Sequence, residues 1–90
     1  VRSVDEIRSD YRAAHKTYQG FWRAEVAVLE RWSKAQAALS ANPLCPDAQQ
    51  AMIEANAARV EASEATTSAL RVRDTIFSEL MTAERAALRS

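Results

Sequence analysis

The chain has 90 residues, with twelve basic and twelve acidic side chains and a formal net charge of zero. That balance gives no pull toward nucleic acid or an anionic membrane surface. The length fits one small domain, residues 1–90, and a lone cysteine excludes an internal disulfide.

Hydrophobic residues make up 48% of the chain, but 19 of them are alanine, which leaves 24 larger ones to build a core. A two-helix hairpin with that supply is marginal alone, so self-association, or excision from a longer helical protein, is expected.

The first element is read from spacing. Val4, Ile7, Tyr11, Ala14, Tyr18, Phe21, Val28, Trp32, Ala35 and Leu39 recur at alternating steps of three and four, and only Glu25 interrupts them. This predicts one amphipathic helix over about 4–40, laid against another helix. Ser3 and Glu6 form a capping-box pattern at its start. A second apolar row, Trp22, Val26 and Leu29, flanks the seam and implies a second neighbour. Gly20 lies on an alanine-rich side with Ala13, Ala24 and Ala27, which fits either close approach by another helix or a tolerated surface glycine.

Residues 41–47 carry Pro43 and Pro46, which disfavour helix at Asn42 and Cys45 and predict a turn. Asp47 with Gln50 offers a capping pattern for a second helix, about 48–89, opened by Pro46 or Asp47. A connection this short returns the second helix antiparallel to the first. Residue i then faces roughly residue 87 − i. Trp32 meets the Ala55 region, Phe21 and Trp22 meet Ala65 and Thr66, and Tyr11 meets Ile76. Large side chains fall opposite small ones, as dense packing requires. The expected fold is all-α, an antiparallel two-helix hairpin of long coiled-coil-like helices, completed to a bundle by self-association or a partner helix.

Chemistry-bearing groups are sparse. His15 and Cys45 are the one histidine and the one cysteine, far apart along the first helix, so no metal site is expected. Cys45 has no basic neighbour to activate it and reads as an inert thiol. One glycine cannot make a phosphate loop. No catalytic or cofactor-binding residues are assigned, and no enzyme activity is expected. His15 reads as a half-exposed helix-edge residue or a pH-sensitive interface residue. Glu25 either pairs with Arg59 or bends outward while the seam shifts to Trp22, Val26 and Leu29. Arg71, Arg73, Arg85 and Arg89, interleaved with Asp74, Glu79 and Glu84, read as a solvated face.

The stretch IFSELMTAER resembles the end of the last helix of sorting-nexin-type BAR domains, whose pattern is hydrophobic–Glu-Leu–xx–Glu-Arg. The resemblance extends over the tail ARVEASEATTSALRVRDTIFSELMTAERAALRS, about a third of the chain, and implies a membrane-associated helical segment in membrane remodelling or trafficking. The neutral charge and the room for only two helices depart from such domains. In length and layout the chain also resembles small secreted helical hairpins, but NPLCP replaces their Trp-x-Gly turn. No family is assigned.

The sequence thus predicts a non-catalytic protein-interaction or assembly module, with membrane association as the alternative. Trp22, Val26, Leu29, Phe77, Met81 and Leu88 are the candidate interface residues. Phe77 and Met81 form either the centre of that interface or part of the hairpin core. The expected partner is a second copy or another helical protein, not nucleic acid, a membrane or a small-molecule substrate. A cytoplasmic location is favoured, since no signal peptide or membrane span is evident.

Overall fold

A computed structural model describes residues 2–89. Helix α1 spans Val4–Ala41 and helix α2 spans Pro46–Arg89. The Ser3 hydroxyl starts α1, accepting the Glu6 N–H at 3.1 Å while Ser3 itself stays extended. Asp5 and Glu6 add negative charge at the positive end of the helix dipole.

Two prolines shape the turn. α1 ends where Asn42 donates its N–H to the Ala38 carbonyl at 3.1 Å. The Cys45 N–H closes back on the Asn42 carbonyl at 3.1 Å, and the Gln49 side chain donates to the Pro43 carbonyl at 2.9 Å. Pro46 is the first residue of α2, a position where a missing N–H has no consequence. The Asp47–Gln50 capping pattern is therefore corrected. Asp47 lies inside the first turn, where its charge still favours the dipole, and the Gln50 amide bonds Glu54 at 3.3 Å.

The helices form an antiparallel hairpin in the expected register. The Thr66 hydroxyl donates to the Phe21 carbonyl at 3.3 Å and to the Ala62 carbonyl at 3.0 Å. Nearer the turn, the Trp32 indole N–H donates to Asn56 Oδ1 at 2.7 Å. Nearer the termini, Tyr11 meets Phe77 with ring centroids 5.6 Å apart, and Arg8 pairs with Glu84 at 3.0 Å. On α2 the buried and half-buried positions include Ala48, Met52, Ala55, Arg59, Ala62 and Thr66, then Ala69, Arg73, Ile76, Leu80 and Ala83. They keep the same three-and-four spacing, mirrored about the turn.

Packing is thin. Ile7, Ala55, Thr66 and Leu80 are the buried residues among those described, and Ala55, beside the Asn56 that bonds Trp32, has no exposure at all. Phe21 is the seam residue left exposed. Its carbonyl accepts the Thr66 hydroxyl, and its ring lines a groove with Ala65, Ala69 and Val72. The result is a rod of 69 × 16 × 14 Å with a radius of gyration of 19.9 Å. A compact chain of this length would have about 12 Å.

Two further sequence expectations are corrected. Glu25 does not pair with Arg59, and the seam does not shift to Trp22, Val26 and Leu29. Glu25 stays half-buried in the seam, level with Ala62, while those three residues are exposed. Arg59 instead places its guanidinium 5.4 Å from the Trp32 ring centroid, where the aromatic face attracts it. Arg73 is not part of a solvated face. It sits in the seam, 4.7 Å from the Tyr18 ring centroid, with its Nη1 3.3 Å from His15 Nδ1.

Candidate functional site

The hairpin has two long sides, and they differ in kind. Beside the α1 seam runs the row Arg8, His15, Trp22, Leu29 and Gln36, with Arg12, Gln19, Val26 and Ser33 beyond it. Beside the α2 seam runs the row Asn56, Ser63, Leu70, Phe77 and Glu84, with Ile53, Val60, Thr67, Asp74, Met81 and Leu88 beyond. The Arg8–Glu84 ion pair joins the two inner rows, and Val4, Arg8, Glu84, Ala87 and Leu88 line one shallow groove. Both sets of rows therefore lie on one side of the hairpin.

That side carries most of the exposed apolar bulk. Of the nine large hydrophobic residues exposed on the described helices, seven are here: Trp22, Val26, Leu29, Ile53, Val60, Phe77 and Leu88. Phe21 and Val72 belong to the opposite side, in a groove with Ala14, Thr17, Ala65 and Ser68. The opposite side also holds Gly20, where an added Cβ would meet nothing within 4 Å.

The apolar side has a further property. From Gln19 to Ser40 on α1, and from Gln49 to Leu70 on α2, its rows contain no charged residue. Charges in that stretch, such as Arg23, Glu30 and Glu64, point outward or to the other side. Charged residues enter the face only toward the termini, with Asp5, Arg8 and Arg12 on α1 and Asp74 and Glu84 on α2.

All six interface residues named from the sequence fall on this one side. Trp22, Val26, Leu29, Phe77 and Leu88 are exposed, Leu88 at 88%, and Met81 is half-buried. Phe77 divides its ring between contact with Tyr11 and solvent. Ile53 and Val60 were missed. Their signal was available: they lie a multiple of seven residues before Met81 and Leu88.

The most concentrated polar chemistry lies at the seam near mid-rod. His15 stacks on Tyr11 with centroids 6.1 Å apart and leans on Tyr18 at 6.3 Å. Arginine has no acceptor, so its contact with Nδ1 is a hydrogen bond when the imidazole proton sits on Nε2. Asp74 binds the same guanidinium at 3.1 Å. This cluster fastens the helices across the seam. Among the described residues, no group of three or more His, Cys, Asp or Glu side chains is placed to hold a metal ion, and no helix is long and apolar enough to cross a membrane.

Comparison with protein-family models, with curated proteins and with solved structures finds no match.

Proposed function

We propose that the hairpin is a non-catalytic, coiled-coil-type assembly module that binds protein through its apolar side. The observation that carries this reading is the segregation of exposed bulk: seven of nine large hydrophobics on one side, around a charge-free centre. Exposed apolar side chains gathered on one side in this way mark an interaction site on a folded protein. The chain exposes 6585 Å², against about 5,200 Å² for a compact protein of its mass, as its rod shape requires.

The test compares the chain with Trp22→Glu as bait in extract from its native cell. Trp22 is 47% exposed, so the charge should leave helicity intact by circular dichroism. Proteins held by the parent chain and released by Trp22→Glu are expected. The same proteins held equally by both would overturn the reading.

A further inference from the structure

We infer that the occupant of the apolar side is a second copy of this chain, stacked face to face with both turns at the same end. The inference rests on reading that side as a protein-binding surface. It adds the partner and its orientation, and what carries it is the pairing of the outer rows. A two-fold axis along the rod leaves every residue at its own height, so this arrangement has no adjustable register. It lays α1 of one copy antiparallel over α2 of the other. Within one hairpin, residue i lies level with residue 87 − i, as the Thr66–Phe21 bond fixes. The same heights therefore govern contacts between copies.

The outer row of α1 then meets the outer row of α2 with an apolar pair at the centre and an opposite-charge pair toward the termini, while Ser33 falls opposite Ile53 and Asp5 opposite Met81. Val26 of one copy faces Val60 of the other at the centre. Gln19 faces Thr67, polar against polar. Arg12 faces Asp74, opposite charges, and symmetry makes that pair twice. Arg12 is exposed and has no ion pair within its own chain among the described residues, whereas Asp74 already holds the Arg73 guanidinium through Oδ1 and offers Oδ2 to the other copy. The other face-to-face two-fold arrangement puts the turns at opposite ends and α1 over α1. With the rods fully overlapped it sets Gln19 against Val26, Arg12 against Ser33 and Asp74 against Ile53. Sliding that pair to match the apolar centres instead carries Phe77 and Leu88 beyond the partner's turn. Zero net charge removes long-range repulsion between copies.

Two sets of variants test this in the full chain, with Cys45→Ser as background for the first. Val26→Cys mixed with Val60→Cys should form a disulfide-linked pair on oxidation, while neither alone should link to itself. Val26 and Val60 are exposed, so the hairpin should fold in every case. In the second set, Arg12→Asp or Asp74→Arg alone should raise the dimer dissociation constant about tenfold by sedimentation equilibrium, two exposed pairs being reversed in each dimer, with circular dichroism checking that the hairpin survives loss of the Asp74–Arg73 contact. An equimolar mixture of those two variants restores both pairs and should return the constant to the parent value. Self-linking of Val26→Cys would overturn the arrangement, and so would a mixture no tighter than its components. A parent chain that stays a helical monomer to about 100 μM would overturn self-pairing altogether. The Trp22→Glu comparison would still decide whether the same side serves a different protein.

Discussion

The half of the hairpin near the turn and the half near the termini hold their helices together in different ways. Toward the turn, α1 supplies most of the bulk, and α2 alternates the small seam residues Ala48, Ala55 and Ala62 with Met52 and Arg59. Ala55 is completely buried, and at the same level the Trp32 indole is anchored by Asn56 and by the Arg59 guanidinium. Toward the termini both helices are bulky. Ile7 and Leu80 are buried and Tyr11 meets Phe77. Ion pairs cross the rim there, Arg8 to Glu84 at 3.0 Å and Arg2 to Glu79 at 3.1 Å, and Arg2 also pairs with Asp10. The turn half therefore depends on smallness and the terminal half on volume. Opposite substitutions should damage each.

The largest effect is expected from removing volume where volume matters. Leu80→Ala should cost about 2–5 kcal/mol, read from urea unfolding followed by circular dichroism. All such comparisons need one fixed protein concentration, because association adds to apparent stability. Next comes adding volume where smallness matters. Ala55→Leu should cost about 1–3 kcal/mol, while Ala57→Leu, two residues on and exposed, should change stability by less than about 0.5 kcal/mol. Equal losses for the two would break the contrast between the halves.

Two smaller effects sharpen it. Gly20 lies between the halves with open space where a Cβ would go. Gly20→Ala should raise stability by about 0.5–1 kcal/mol, visible as a higher melting temperature. A loss instead would show that another helix packs closely on that side. Arg8→Ala should cost only about 0.2–1 kcal/mol, and the loss should shrink as salt is added, since the pair is partly exposed. A salt-independent loss would assign Arg8 a packing role rather than an electrostatic one.

The backbone architecture was legible because it rests on period. Apolar residues at alternating steps of three and four define a seam, prolines define a turn, and a short turn leaves one register. Long charged side chains were not legible. Arg59 and Arg73 fall on seam positions, and a guanidinium there can leave for solvent or lie on an aromatic ring of the facing helix. Only the positions of Trp32 and Tyr18 across the seam decide which. Glu25 was harder for the same reason: its partner was sought by charge, whereas its neighbour across the seam is Ala62, small enough to let a carboxylate reach water. The face holding Trp22, Leu29 and Phe77 was visible as two separate rows. That they share one side became visible only through the Arg8–Glu84 link, and Ile53 and Val60 then joined them by spacing.

The Asn42–Cys45 turn also has a consequence for the order of events in folding. Contacts across the hairpin close loops that lengthen steadily away from it, 24 residues for Trp32 with Asn56 and 76 for Arg8 with Glu84. Closing the longer loop from a disordered chain costs about 1 kcal/mol more than closing the shorter one. The chain should therefore zip from the turn outward, with the Trp32–Ala55 layer structured in the transition state and the Ile7–Leu80 layer docking late. Ala55→Gly should mainly slow folding, whereas Leu80→Ala should mainly hasten unfolding. Stopped-flow chevrons in which Leu80→Ala slows folding as much as it destabilises the protein would reverse that order.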